Sequence, residues 1–248
     1  MILNQTPTMA LLSAICLLLL LPLAALLSRW LGLDAAGLET WRHLAQTVLP
    51  EYLGSSLVLS ASVALGVAVL GGTTAATVTL FEFRGRRALA WALLLPMAMP
   101  AYVLAYAWTD TLQYSGPLQT ALRARFGWEG ALWPDVRSLG GAVPLFVLCL
   151  YPYAYLLTRG ALAQRCVPLM EAARLLGASW SRRLWRVALP MARPALAAGV
   201  ALALMETLAD YGVGAYFGLS TFTTGIYRAW LSMGDRDAAA QLEIGRAH

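Results

Sequence analysis

Long apolar stretches separated by short polar segments dominate the chain. Five of them are long enough, as helices, to cross a bilayer core of roughly 30 Å. A sixth begins near Ala238. The pattern predicts an all-α, polytopic membrane protein, a helix bundle with about five complete spans and the start of a sixth. The five stretches are residues 9–27, 52–80, 88–108, 139–157 and 195–216.

The first stretch predicts a retained transmembrane helix that, with a following periplasmic loop, makes up residues 1–51. A cleaved signal peptide is the alternative, because Ala24-Ala25 resembles a cleavage site. However, the segment before the stretch lacks Lys and Arg, and the apolar run is longer than that of an ordinary signal peptide. These two features favour the retained helix.

Two later stretches carry residues that predict how they pack. Stretch 52–80 is rich in Gly and Ser, and small residues let the helices of a membrane bundle approach closely. Stretch 88–108 contains Pro96 and Pro100, which predict a kink or a break near its middle.

Composition agrees with the apolar pattern and excludes several kinds of chemistry. The 248 residues are 59% hydrophobic and only 12% charged, well outside the range of soluble domains. All 18 basic residues are Arg, so a phosphate-binding loop that needs Lys and a Lys nucleophile are both excluded. The three Cys residues show no metal-ligand spacing, and His43 and His248 are the only histidines. We therefore assign no catalytic residue and no metal ligand firmly.

Arginines predict the orientation of the chain in the membrane. The loop after the second stretch contains three basic residues, Arg84, Arg86 and Arg87, and one acidic residue, Glu82. Residues 158–193 carry seven Arg against Glu171 alone. Because short cytoplasmic loops are enriched in Lys and Arg, both segments and the N-terminus are predicted to be cytoplasmic.

The opposite loop, residues 109–138, is called the outer loop; it contains a predicted short helix over 117–126 followed by Trp128 and Trp133. These tryptophans are predicted to anchor at the membrane interface, and contact with a substrate-binding protein is the alternative.

The inner segment, residues 168–190, carries the most specific motif, E-A-A-x(3)-G followed by L-P. Its residues are Glu171, Ala172, Ala173, Gly177, Leu189 and Pro190. The pattern predicts one helix from Pro168 that ends at Gly177. A second helix is predicted over 180–188, capped by Ser179 and stopped by Leu189-Pro190. Pro194 is a second, tolerated break.

An Arg-rich amphipathic helix on an anionic inner leaflet is the alternative interpretation of this segment. It explains Arg182, Arg183 and Arg186, but not the spacing of Glu171, the two alanines and Gly177. The motif resembles the coupling loop of ABC importer permeases of the MetI-like type, which docks onto an ATP-hydrolysing subunit. Docking is therefore the favoured interpretation.

Two later motifs resemble the ferric-iron branch of these permeases. They are E-T-L-A-D-Y-G-V at 206–213 and T-F-T-T-G-I-Y-R-A-W at 221–230. The resemblance implies a permease domain over 52–242, with coupling loop 158–193, that moves Fe³⁺ from a periplasmic binding protein to the cytoplasm. Thiamine, polyamine or phosphonate permeases are the alternatives. A membrane-embedded enzyme or a passive channel is less favoured still, because the spans offer no catalytic constellation.

The same resemblance implies the partners and the location. They are a cytoplasmic ABC ATPase dimer that uses ATP and Mg, a periplasmic substrate-binding protein, a second permease half (fused or separate) and the lipid bilayer of a bacterial inner membrane. No cofactor bound by this chain and no nucleic acid are expected.

Glu206, Asp210 and Tyr211 are the candidate translocation path. Glu206 and Asp210 are four residues apart, which predicts one face of the fifth helix, and acids at membrane depth usually line a path. The alternative is that both acids lie near the outer interface, hydrated or paired with Arg228.

The C-terminal region predicts a fragment. One coupling motif is present and a sixth span is only begun, so we expect the N-terminal half of a two-half permease. Residues 243–248 resemble a translated sequencing adapter, and we expect no function from them.

Overall fold

The computed structural model describes residues 5–31 and 46–232, which form helices joined by short turns and contain no strand. The helices are α1 (Gln5–Leu31), α2 (Leu49–Leu80), α3 (Arg86–Ala92), α4 (Ala101–Leu112), α5 (Pro117–Phe126), α6 (Leu139–Ala161), α7 (Val167–Leu175), α8 (Trp180–Arg183), α9 (Leu189–Ala209), α10 (Gly212–Phe217) and α11 (Phe222–Ser232). A 3-10 turn, Leu95–Ala98, follows α3, and two π-helical turns, Leu162–Cys166 and Leu184–Ala188, join α6 to α7 and α8 to α9.

The chain divides into two compact units. One is Gly54–Leu219, which contains the helices α3 to α10. The other combines Met1–Leu53 with Ser220–His248. In the described part of this second unit Tyr52 packs against the backbone of Gly225, where an added Cβ would lie 2.3 Å from the tyrosine ring.

Several helices are long and apolar enough to cross a membrane. Within the described residues these are Leu49–Leu80, Leu139–Gln164 and Trp180–Ala209, and the pair Arg86–Ala98 and Ala101–Phe126 makes a fourth if it counts as one bent span. α1 contributes a shorter apolar helix, Met9–Pro22. The polytopic helical fold is therefore confirmed, but the described residues contain three or four spans of sufficient length and apolarity where the sequence predicts about five. The predicted sixth span from Ala238 and residues 243–248 lie outside the described residues.

The predicted break near Pro96 and Pro100 is confirmed, because the helix axes on its two sides differ by 96°. Tyrosines of α6 satisfy carbonyl groups in this region. Tyr151 donates its hydroxyl to the Leu93 carbonyl at 2.8 Å, and Tyr155 donates to the Ala90 carbonyl at 3.1 Å. An unpaired carbonyl in an apolar interior costs several kcal/mol, so these bonds stabilise the broken segment.

Small residues bring α2, α6 and α9 together, as the Gly- and Ser-rich stretch predicts. Ala154 of α6 is fully buried between two glycines. A Cβ added to Gly71 of α2 would lie 2.7 Å from Ala154 Cβ, and one added to Gly199 of α9 would lie 2.4 Å from Ala154 Cα. These distances are shorter than any normal carbon contact, so the glycines set the spacing of the three helices.

The outer loop folds as predicted over 117–126, where α5 begins at Pro117 and ends before Gly127, which has a φ of +66°. Trp133 donates its indole N–H to the Leu112 carbonyl at 2.8 Å. Arg137 donates through Nε and Nη2 to the Tyr216 carbonyl and lies 4.7 Å from the centroid of the Tyr216 ring. The outer loop is thereby tied to α10.

Candidate functional site

The inner segment begins with α7, which ends as the motif predicts. Gly177 has a φ of +78°, a conformation that only Gly adopts without strain. The Gly177 amide donates to the Arg174 carbonyl, and the Ala178 amide donates to the Ala173 carbonyl, both at 3.0 Å. This is the bonding pattern of a glycine-terminated helix. The prediction that Gly177 ends the helix is confirmed.

The side of α7 that faces away from the core is exposed and in part apolar. Glu171 and Ala172 are exposed, and Ala173 is half-buried. Leu175 and Leu176 are 89% and 88% exposed. Two adjacent leucines this exposed offer apolar area for contact with a partner protein or with lipid.

The opposite face of the inner segment is anchored in the core. Met170, Cys166 and Ala188 belong to one buried cluster, and the Cys166 thiol donates to the Ala188 carbonyl at 3.8 Å. Burial raises the pKa of this thiol, so it stays protonated and unreactive. Trp180 packs edge-on against Phe81 at the end of α2, with 5.3 Å between the ring centroids. The exposed residues of the motif are therefore held in position by the buried side chains on the opposite face of the same segment.

The structure corrects the prediction that Leu189-Pro190 stops a helix. α8, the π turn and α9 form one continuous helix, Trp180–Ala209, in which Leu189 is half-buried and Pro190 is exposed. The Leu189 amide donates to the Leu184 carbonyl, five residues back. This wider turn gives the Pro190 ring room beside the preceding carbonyl groups, where a regular α-helix would produce a clash.

A π turn also precedes Pro168, the second residue of α7. There the Val167 amide donates to the Leu162 carbonyl, five residues back. The predicted loop 158–193 is therefore mostly helical. Ser179 does precede α8, but its side chain makes no capping hydrogen bond. The predicted break at Pro194 is not found, because Pro194 lies inside the continuous helix α9.

An acidic cavity of about 370 Å³ lies at the break in the third apolar stretch. Glu206 and Asp210 form one wall, and Cys149 and Tyr153 of α6 form another. The lining is completed by residues 97–102, which run from the 3-10 turn into the first residues of α4. No Arg or His occurs among the described residues that line this cavity.

The structure places Asp210 differently from the prediction. α9 ends at Ala209, so Asp210 does not share a helix face with Glu206, and the predicted span 195–216 is wrong beyond Ala209. Asp210 has an extended backbone with ψ of 120°, and its Oδ1 accepts the Val213 amide at 2.7 Å. A carboxylate that bonds the first amides of a new helix favours a break over a continuous helix. The two acids nevertheless line the same cavity.

Tyr211 is 38% exposed and is absent from the lining of the acidic cavity. Tyr153 takes its place, a residue that the sequence did not single out. Tyr151 and Tyr155 share one face of α6 and Tyr153 lies on the opposite face, but that pattern alone does not link Tyr153 to the two acids. Within residues 5–31 and 46–232 no three His, Cys, Asp or Glu side chains form a group that can hold a metal ion.

Several apolar helices, a span broken at its middle and a helical inner segment define a polytopic membrane protein. Residues 68–233 match the family described as the binding-protein-dependent transport system inner membrane component, and the chain belongs to that family. It is a permease component of an ABC importer, a class whose membrane subunits are not themselves enzymes.

Individual relatives differ in what their names say they transport. The chain is 28% identical over 207 residues to a probable sulfate transport system permease protein of Chlorokybus atmophyticus, covering 81% of this chain and 68% of the relative. It is 24% identical over 194 residues to an Fe(3+)-transport system permease protein of Haemophilus influenzae, covering 78% of this chain and 34% of the relative. It is 26% identical over 191 residues to a putative 2-aminoethylphosphonate transport system permease protein of Salmonella choleraesuis, covering 76% and 66%. The chain thus spans about two thirds of the sulfate and phosphonate relatives and one third of the ferric relative.

A solved structure shares the fold. A chain of a bacterial alginate ABC transporter, crystallised with an alginate pentasaccharide-bound periplasmic protein, superimposes with a TM-score of 0.77 at 18% identity, covering 96% of this chain and 87% of that chain. At this identity the likeness shows the fold alone.

Proposed function

We propose that this chain is a permease half of an ATP-driven importer that moves Fe³⁺ from a periplasmic binding protein to the cytoplasm. The observation that carries the choice of a cation is the acidic cavity. Two carboxylates line it, and the described lining offers no basic side chain. Carboxylate and phenol oxygens are suitable ligands for hard cations, and Tyr153 adds a phenol to the lining.

An oxyanion permease is the second candidate. The observation in its favour is the fuller coverage of the sulfate and phosphonate relatives. Against it, an anion in the acidic cavity would face Glu206 and Asp210 without a compensating cation in the described lining, and like charges in a membrane interior repel strongly.

The double variant Glu206→Gln with Asp210→Asn tests the choice of cargo, with Glu82→Gln as a matched control. Glu82 is an exposed acid of an inner loop, so its charge can be removed without touching the cavity. We expect the initial rate of radioactive iron uptake in cells carrying the complete transporter to fall more than about tenfold in the double variant, because two charge-assisted contacts are lost. The control should transport normally.

Labelled sulfate and 2-aminoethylphosphonate are measured in the same cells. Wild-type iron uptake in the double variant would remove both acids from the path, and the alternative of outer-interface acids would then hold. Transport of either anion in place of iron would support the second candidate.

The coupling role is proposed for the inner segment, which docks onto a cytoplasmic ATPase dimer that binds ATP and Mg. The residues proposed for this coupling role are Glu171, Ala172, Ala173, Gly177, Leu189 and Pro190. In support, the exposed Leu175 and Leu176 supply apolar area for a protein contact at the tip of α7. Their removal from water on docking would stabilise the complex by about 1.5–3 kcal/mol each.

Gly177→Pro and Glu171→Arg test this docking. Proline cannot adopt the φ of +78° at Gly177, so the end of α7 must rearrange. Glu171→Arg reverses an exposed charge, and Glu82→Arg is its matched control in the other inner loop. We expect both inner-segment variants to insert into the membrane but to lose copurification with the ATPase subunit. Unchanged copurification in both would refute the docking proposal.

The remaining parts of the proposal follow from the family. A periplasmic binding protein delivers the ion on the side of α5, and a second permease half supplies the other wall of the path. The N-terminus and the inner segment face the cytoplasm of a bacterial inner membrane. A protease-accessibility assay on inside-out vesicles, with a tag at the N-terminus, checks this orientation.

A further inference from the structure

An apolar groove of about 430 Å³ runs between α2, α6 and the helix formed by α8 and α9. Ala68 and Leu80 mark its extent along α2, and Leu196 and Trp185 mark it along the facing helix. The distance from Ala68 to Leu80 is about 18 Å at 1.5 Å per residue. This is close to the roughly 15 Å thickness of the hydrocarbon in one membrane leaflet.

Arginines flank, in sequence, the residues that line the inner end of this apolar groove. Trp185, which lines that end, is 64% exposed, and Arg182 and Arg186 beside it in sequence are exposed as well. Residues 158–193 carry seven Arg against a single acid. A tryptophan with flanking arginines is typical of the headgroup level of a membrane, and basic pockets on the cytoplasmic side favour anionic lipids.

A buried hydroxyl provides an independent observation. Thr158 lines the apolar groove, is only 2% exposed, and its Oγ1 has no hydrogen-bond partner within the described part of the chain. An unpaired hydroxyl in an apolar wall is costly, and a ligand with an acceptor oxygen relieves that cost. A glycerol ester carbonyl is such an acceptor.

We infer that the apolar groove binds one acyl chain of an anionic phospholipid from the cytoplasmic leaflet. The headgroup lies beside Arg182 and Arg186, and the Thr158 side chain, whose hydroxyl is buried in the structure, turns toward the groove to donate to an ester oxygen. This inference rests on the proposed cytoplasmic position of the inner segment. It gives the arginines of α8 and the π turn a role that the coupling motif leaves open.

Native mass spectrometry of the complete transporter tests the inference. The complex is equilibrated in nanodiscs that contain equal amounts of phosphatidylglycerol and phosphatidylcholine with matched chains, then released, and its retained lipids are counted. We expect the wild type to retain phosphatidylglycerol over phosphatidylcholine by about tenfold, as two arginines near an anionic headgroup predict.

Two variants assign the retained lipid to the apolar groove. Arg182→Gln with Arg186→Gln should abolish the preference for phosphatidylglycerol, and Ala76→Phe, which fills the groove, should abolish retention of both lipids. Arg84→Gln with Arg87→Gln removes two exposed arginines of the other inner loop and should retain the wild-type preference.

Equal retention of the two lipids by the wild type, or undiminished retention in both the Ala76→Phe and the Arg182→Gln/Arg186→Gln variants, would overturn the inference. Loss of the second permease half in Ala76→Phe, with no lipid retained by the wild type, would make the groove a protein interface instead. Copurification of the ATPase is measured in the same samples. A complex that keeps its ATPase but retains no lipid refutes this inference and leaves the proposed function standing.

Discussion

Adding one methyl group at Gly71 tests the close packing of α2 on α6. A Cβ at this position would lie 2.7 Å from Ala154 Cβ and 2.9 Å from the Tyr151 carbonyl oxygen. Gly72, the next residue in the same helix, is the matched control. A Cβ there would meet only the end of the Leu196 side chain, at 3.6 Å, which is an ordinary van der Waals contact.

The two substitutions share one effect and differ in another. Replacing Gly with Ala inside a helix stabilises it by about 1 kcal/mol, because the unfolded chain loses less conformational freedom. Overpacking costs about 1–3 kcal/mol when the neighbour is backbone that cannot move aside. We therefore expect Gly71→Ala to be less stable than Gly72→Ala by about 1–3 kcal/mol, with Gly72→Ala at or above the wild type.

Reversible denaturation in mixed micelles gives the free energy of unfolding of each variant. A further variant, Gly71→Ala with Ala154→Gly, removes the nearest atom and should recover part of the loss, while the Tyr151 carbonyl contact remains. Equal free energies for Gly71→Ala and Gly72→Ala would refute the packing of α2 on α6 at this distance.

Two further substitutions test single hydrogen bonds of Tyr155 and Arg137. Tyr155→Phe removes the hydroxyl that donates to the Ala90 carbonyl, and we expect the free energy of unfolding to fall by about 1 kcal/mol. An unchanged value would mean that another donor satisfies this carbonyl. Arg137→Gln removes the charge-assisted hydrogen bonds to the Tyr216 carbonyl. We expect the free energy of unfolding to fall by about 1 kcal/mol in the same assay and iron uptake to be slower. Full uptake would show that the bonds between the outer loop and α10 are dispensable.

The sequence predicted most of the helices because their starts, ends and breaks depend on the preferences of single residues. The predicted helix over 117–126 matches α5, since Pro117 suits a helix start and Gly127 suits a left-handed end. Gly177 was predictable for the same reason. The break near Pro96 followed from the missing amide and fixed φ of proline.

The remaining features are choices between local conformations that the sequence pattern leaves open. The π turns before Pro168 and Pro190 accommodate proline within a helix, and no local preference distinguishes that outcome from a helix stop. The end of α9 at Ala209 depends on the bond from the Val213 amide to Asp210, which competes with a helical hydrogen bond.

The acidic cavity was predictable only in part. Glu206 and Asp210 stand out because acids are rare within apolar stretches. Tyr153 does not stand out, since a tyrosine in a span is ordinary, and only the packing of α6 beside the break brings it into the lining.

The helix from Trp180 to Ala209 is continuous through its π turn and its two prolines. At 1.5 Å per residue its 30 residues extend about 45 Å, from the arginine-rich inner end to the edge of the acidic cavity. A tilt of about 10° about one end would carry the other end through roughly 8 Å. In the proposed docking, a displacement of the arginine-rich end would therefore reach Glu206 through this single helix rather than through a series of side-chain shifts.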